Sequence, residues 1–279
     1  MSAGSGTISA TTSRTRSGSR SAHRLAALAR AEGVLLRRNR IALLNAVILP
    51  VALLGSLKAF GDLGGSGSRG FGATLLTELT ALVLLVAVYY NLVTALVARR
   101  EEFVLKRLRT GEATDAEILT GTAVPAIAIA WAQVAVAAVA AVAMFGMAAP
   151  VNPVLVGIAL ILGTAVFTLL AAVSSVVTRT VQLAQVTTLP VLMIPFALSG
   201  LLFSLATLPE PLRLLARALP LTPVVELIRL GLTGTAASGQ HLGLAATFGA
   251  AAIPVLVLVA WIAVGGWAAR RWFRWEPRR

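Results

Sequence analysis

Six stretches of this chain, residues 41–60, 72–98, 122–148, 154–177, 186–206 and 246–269, are predominantly apolar over twenty residues or more. About 20 residues at a rise of about 1.5 Å each carry a helix across the hydrocarbon layer of a bilayer. Inside that layer no water pairs with backbone N–H and C=O groups, so each span must satisfy its own as a helix. The pattern predicts an all-α polytopic membrane protein with six transmembrane helices. Composition agrees: 57% of residues are hydrophobic, 13% are charged and the mean hydropathy is +0.86, where a soluble domain carries about 25% charged residues.

Charge then sets direction. Of the 24 basic residues, 22 are arginine. If the N-terminus is cytoplasmic, 19 of them fall on the cytoplasmic side: those before residue 41, Arg99, Arg100, Lys106, Arg107, Arg109 and Arg179, and those from Arg270 onward. Only Lys58, Arg69, Arg213, Arg217 and Arg229 fall outside. Basic residues accumulate in cytoplasmic loops, so both termini are expected in the cytoplasm. Trp267, Trp272 and Trp275 accompany the C-terminal arginines, as in an interfacial aromatic belt. The net charge of +13 reports this topology, and no nucleic-acid partner is expected.

The flanks are of different character. Residues 1–21, rich in Ser, Thr, Gly and Arg, cannot bury enough apolar surface to fold and are expected to be a disordered cytoplasmic tail rather than a cleaved signal peptide. Residues 22–40 place Leu25, Leu28 and Leu35 on one face, with Arg24, Arg30, Arg37 and Arg38 around it, the pattern of a helix lying in the headgroup layer. Residues 270–279 form a second cytoplasmic tail.

The densest interior charge, "RREEFVLKRLRTGEATDAEILTG" at 99–121, lies between the second and third apolar runs. Glu102 and Lys106 are spaced i,i+4 in the favourable order, acids open the segment, and Arg107 and Arg109 close it, matching the helix dipole. Gly111 suits the position past a helix end, and "TDAE" (Thr114–Glu117) is a capping box that starts the next helix. Phe103, Val104, Leu105 and Leu108 supply an apolar patch ringed by charge. Such a helix either rests on the membrane or receives a soluble partner, and the pattern by itself leaves both open.

Residues 207–235 are apolar but broken by prolines and charges. "EPLRLLARAL" and "PVVELIRLGL" are too short to span, so they read as outer interfacial or re-entrant helices, with Glu226 and Arg229 placed to pair at i,i+3. Glu78 lies within the second apolar run, where an acid is costly and is a functional hypothesis by default. Tyr89, Tyr90, Asn91 and Gln133 are further mid-span polar groups, suited to interhelical hydrogen bonds or to a translocation path. Pro50, Pro125, Pro190, Pro195 and Pro254 fall inside spans and are expected to kink them.

The residues also exclude chemistries. There is no cysteine, hence no disulfide and no thiol catalysis. His23 and His241, the two histidines, lie outside the apolar runs. Neither Lys58 nor Lys106 follows a glycine, so no P-loop is present. No HExxH motif and no Ser–His pairing suggests an enzyme. A secondary transporter would usually show more ionisable groups than Glu78, or an inverted repeat.

The segment from Arg100 through Glu101 to Leu105, Lys106, Arg107, Leu108 and Arg109 resembles the stretch between spans two and three of the ATP-binding-cassette type-2 (ABC-2) export permeases. A second stretch, "PFALSGLLFSLATLPEPLRLLARALPLTPVVELIRLGLTG" at 195–234, resembles the same family through Ser199, Gly200, Leu208, Pro209, Leu219, Pro220, Leu221, Thr222, Glu226, Arg229 and Gly234. The likeness covers roughly residues 22–270. The usual Thr-Pro turn is replaced by "TGEATDAE", as in drug-exporting actinobacterial members. The resemblance implies a permease without a nucleotide site, in a bacterial cytoplasmic membrane. It works with a second copy of itself or a related permease and with two copies of a separate ATPase that binds ATP and Mg. Residues Glu102–Arg109 would be the coupling helix seated in that ATPase. Glu78, Tyr90, Asn91 and Gln133 would be candidates for the translocation path, and Pro220, Thr222, Glu226 and Arg229 for the outer re-entrant motif. The implied activity is efflux of a lipophilic drug, antibiotic or lipid-like compound, hence antibiotic resistance. A lipid-linked glycan exporter and a proton-coupled secondary transporter using Glu78 are the alternatives.

Overall fold

The computed structural model describes residues 69–102, 115–201 and 205–272. The described residues form helices α1 (Arg69–Val83), α2 (Asn91–Glu101), α3 (Asp115–Phe145), α4 (Pro153–Val177), α5 (Val181–Leu198), α6 (Glu210–Ala218), α7 (Leu221–Thr233) and α8 (Leu244–Trp272). A π-helical segment, Leu84–Tyr90, joins α1 to α2 without interruption. Five of the resulting rods are long and apolar enough to cross a membrane: Gly70–Glu101, Leu119–Phe145, Pro153–Val177, Val181–Leu198 and Leu244–Trp272. The expected first span, 41–60, the interfacial helix at 22–40 and both tails lie outside the described residues.

Polar side chains inside these rods are satisfied locally. Thr77, Thr80, Thr164 and Thr188 each donate to the carbonyl four residues back, at 2.6–2.8 Å. Back-bonding of this kind removes a free hydroxyl from the hydrocarbon. The helices also run unbroken through Pro125, Pro190, Pro195 and Pro254; neighbouring groups make proline tolerable in a membrane helix.

The α1–α2 rod is the most enclosed: 56% of its most apolar stretch is buried, against 17% for α5. Leu84, Leu85, Tyr89, Leu92 and Leu96 of this rod pack with Phe167 of α4 and with Leu227 and Ile228 of α7 in the core.

Two ends are distinct. At one, Phe71 meets Phe145 edge to face, with ring centroids 5.6 Å apart. There the fully buried Asn152 joins three helices: its Oδ1 caps α4, its Nδ2 donates to Thr247 of α8, and its N–H donates to Gly231 of α7. At the other end the chain leaves α2 through Arg99–Glu102 and turns from α4 into α5 at Thr178–Thr180.

Helices α6 and α7 are 9 and 13 residues long, too short to span. They form a hairpin with its apex at Leu219–Pro220. The α7 C-terminus is at the Asn152 level, since a Cβ added at Gly231 would meet Val156 at 2.5 Å. Near its N-terminus, Val224 packs against Gly163, ten residues past Pro153. At about 1.5 Å per residue that is about 15 Å into the bundle, half of a 30 Å hydrocarbon layer. The expected re-entrant pair is therefore present as a hairpin that enters and leaves from one side. At its apex the Ala218 carbonyl, which would be an orphan of the α6 terminus, accepts from Trp261 Nε1 at 2.8 Å.

The fifth apolar run differs from expectation. The helix starts at Val181 and stops at Leu198, not 186–206. Gly200 takes φ +78°, a left-handed conformation suited to glycine, and turns the chain while the sequence is still apolar. Similarly α3 stops at Phe145, before residue 148.

Candidate functional site

At the arginine end, three consecutive residues hold three different helices. Arg99 Nη1 donates to Thr122 Oγ1 of α3 at 2.9 Å. Arg100 is only 3% exposed; its Nη1 donates to the Ser175 carbonyl at 2.8 Å and its Nη2 to the Thr178 carbonyl. Glu101 Oε1 accepts from the Val181 backbone N–H at 3.3 Å. Ser175 and Thr178 are the last turn and C-cap of α4, and Val181 is the first residue of α5. A cation thus meets the orphan carbonyls of one helix and an anion the orphan amide of the next, as the end charges of the helix dipoles favour. Arg100 and Glu101 grip the α4–α5 corner from both sides. Glu102, exposed, follows immediately. Phe103, Val104, Leu105, Lys106, Arg107, Leu108 and Arg109, expected to form the coupling helix with Glu102, lie outside the described residues. α3 resumes at Asp115, next to the expected capping Thr114.

In the α1–α2 rod, Thr74, Glu78, Leu82, Val86 and Tyr90 follow one another at intervals of four, and each is exposed or half-buried. Asn91 continues the line and is exposed, ten residues before Glu101. Next to it Tyr89 is fully buried and donates to Ser174 Oγ of α4 at 3.0 Å. The π-helical segment changes the side-chain register between these neighbours; such segments are rare and recur at functional sites. Gln133 is half-buried on α3, with its Oε1 buried and without a hydrogen-bond partner.

The re-entrant end gathers the other predicted residues. Pro220 precedes α7 at its N-cap, and Thr222 Oγ1 donates to the Leu198 carbonyl at 3.4 Å. Arg229 does not close the expected i,i+3 ion pair with Glu226. Its Nη2 donates to the Gly200 carbonyl at 2.7 Å, in the turn that ends α5. It also lies within electrostatic reach of both Glu78 and Glu226. Glu226 Oε1 is buried without a hydrogen-bond partner, and Arg217 of α6 and Arg229 are its cationic neighbours. The i,i+3 ion pair that the hairpin does make is Arg213–Glu210.

The fold thus places Glu78, expected on the translocation path, within electrostatic reach of Arg229, expected with Glu226 in the re-entrant motif. Partners that sequence reasoning missed are Ser175, Thr178 and Val181 for the arginine–glutamate pair, and Gly200 for Arg229. Among the described residues no group of three or more His, Asp or Glu side chains could hold a metal.

The sequence model of the ABC-2 type transporter family matches residues 24–233, about three quarters of the chain. The match takes in α1 through α7 and ends at Thr233, the last residue of the re-entrant hairpin. No curated protein matches the sequence at a significant level. The chain therefore belongs to the ABC-2 type transporter family, as a multi-pass permease component whose family associates with an ATP-binding-cassette ATPase and a permease partner.

Proposed function

We propose that the chain is one half of a homodimeric, ATP-driven exporter that moves a lipophilic drug, antibiotic or lipid-like compound out of the cell, with both termini in the cytoplasm. ATP and Mg bind two copies of a separate ATPase docked at Glu102–Arg109. The observation that carries this reading is the Arg100–Glu101 grip on the α4–α5 corner. The segment expected to take the ATPase stroke begins one residue after that grip, so a displacement there moves α2 and α5 as one body. At the far end α7 links the same two rods: its Arg229 donates to the Gly200 carbonyl in the turn that ends α5 and lies within electrostatic reach of Glu78 of α1. A stroke at one end is thereby delivered to the re-entrant hairpin at the other.

The partly exposed line Thr74, Glu78, Tyr90 and Asn91 supports placing the path along the α1–α2 rod. An amide left against lipid tails is costly, so this line suits a polar route between two copies. The same route in a single proton-coupled transporter would rest on Glu78 alone.

The chain has no cysteine, so spin labels attach only at the introduced Glu102→Cys and Gln182→Cys, both exposed positions, and diluting the labelled chain with unlabelled chain leaves one pair per dimer. In the complex with its ATPase, dipolar broadening between them is expected to be the same without nucleotide and after ATP trapping. Broadening that changes on trapping would break the rigid connection on which this reading stands.

A further inference from the structure

The last span carries its charge at one end only. From Leu244 to Trp275 the chain has no acidic residue, and its basic residues are Arg270, Arg271 and Arg274. Thr247 lies level with the start of α4, because Asn152 Nδ2 donates to its Oγ1 at 3.0 Å. Trp267 and Arg270 follow 20 and 23 residues later, about 30 and 35 Å along the helix. A hydrocarbon layer is about 30 Å thick, so Trp267 stands at its boundary and Arg270 and Arg271 stand among the head groups. The packing agrees. A Cβ added at Gly265 would meet Leu169 Cβ of α4 at 3.0 Å, and from that contact α8 and α4 run on seven and eight residues to their ends at Trp272 and Val177. The end of α8 is therefore level with the α4–α5 corner that Arg100 holds.

Trp267 and Trp272 are 59% and 51% exposed, and Arg270 and Arg271 are exposed. The two indoles meet edge to face, with ring centroids 5.2 Å apart. Spacings of i,i+3 and i,i+4 put Arg270 and Arg271 one turn beyond Trp267. Among the described residues neither guanidinium has an ion pair and neither indole N–H has an acceptor. Toward the hydrocarbon, Ala263 and Val264, one turn before Trp267, are exposed as well. The patch thus offers hydrogen-bond donors and positive charge at head-group level, an apolar strip below, and no carboxylate on the same helix.

We infer that this end of α8 holds an anionic phospholipid, with its phosphodiester across Arg270 and Arg271, its glycerol backbone beside Trp267 and one acyl chain along Val264 and Ala263. A guanidinium fork matches phosphate oxygens, and indoles settle where one edge is apolar and the other wet. A choline or ethanolamine head brings its own cation, which meets two arginines and no acid on this helix. A glycerol head leaves the phosphate charge uncompensated. The site lies past residue 233, where the family match ends. It needs only the membrane setting and does not depend on an ATPase at the arginine end, so either reading can fail alone.

The test is native mass spectrometry of the purified, delipidated chain given equal amounts of phosphatidylglycerol and phosphatidylcholine with identical tails. Phosphatidylglycerol is expected to be retained about tenfold better, the factor for one hydrogen bond to a charged group. Arg270→Gln with Arg271→Gln is expected to abolish the preference, and Arg270→Lys with Arg271→Lys to keep most of it, which separates loss of charge from misfolding. Trp267→Leu leaves the charge unchanged and is expected to lower retention of phosphatidylglycerol several-fold. Equal retention of the two lipids by the wild-type chain would overturn the inference. So would a preference that survives the double glutamine variant, because the other basic residues of the chain would then carry it. Retention unchanged by Trp267→Leu would overturn it too, since bare charge would suffice. Displacement by an equal concentration of soluble glycerol phosphate would overturn it as well, because the occupant would be a free head group and not a membrane lipid.

Discussion

Arg100 does what no other residue type could do at its position. Its guanidinium forks to two carbonyls, Ser175 and Thr178, at the frayed end of α4, and it is buried while doing so. A lysine brings one compact ammonium and cannot reproduce the fork. Arg100→Lys is therefore expected to lower stability in detergent by about 1–3 kcal/mol, the cost of a buried polar group left unpaired, read as a fall in the midpoint of thermal unfolding. Glu101→Gln keeps an acceptor for the Val181 N–H at an exposed position and is expected to shift that midpoint far less. Trp261 works the same way at the hairpin apex. Trp261→Phe keeps the ring but strips the Ala218 carbonyl of its donor, a loss of about 1 kcal/mol for a hydrogen bond at membrane depth, checked by the same unfolding measurement.

At the level of elements, the seating of α7 depends on close approach. A Cβ added at Gly231 would come within 3.0 Å of the Asn152 carbonyl and nearer still to Val156. Gly231→Ala is expected to cost about 1–3 kcal/mol through overpacking and to open the α7–α8 connection, residues 235–241, to proteolysis. The existence and number of the described spans were readable from hydropathy because a span must be apolar along its whole length. Their ends were harder. Residues 199–206 continue the apolar run of α5, so nothing in hydropathy marks the turn that Gly200 makes. The hairpin itself was legible, because prolines and charges cut 207–235 into pieces too short to span. Its contacts were not. Glu226 and Arg229 read as a helical i,i+3 pair, yet the fold brings Gly200, 29 residues away, to Arg229. For the same reason Arg100 and Glu101 stood out as part of a family motif while their partners, 75–80 residues distant, could not be seen.

Across the whole molecule, the described helices make a bundle gripped at both ends. The arginine end ties α2 to the α4–α5 corner; the re-entrant end ties α5 to α7 and brings α7 to Glu78 of α1. A device of this kind has use only if something pushes on it. The family supplies the expected agent, an ATPase, and Lys106 and Arg107 supply the charge by which it would be held. The double reversal Lys106→Glu with Arg107→Glu is expected to leave membrane insertion and yield unchanged and to abolish co-purification of the ATPase. The most direct measurement is a mild-detergent pull-down of the wild-type chain from its native membranes, with the partners identified by mass spectrometry. The expected result is a P-loop protein at roughly one copy per chain, lost in the double reversal. A chain that comes out alone or only with itself, under conditions that keep membrane complexes intact, would contradict it.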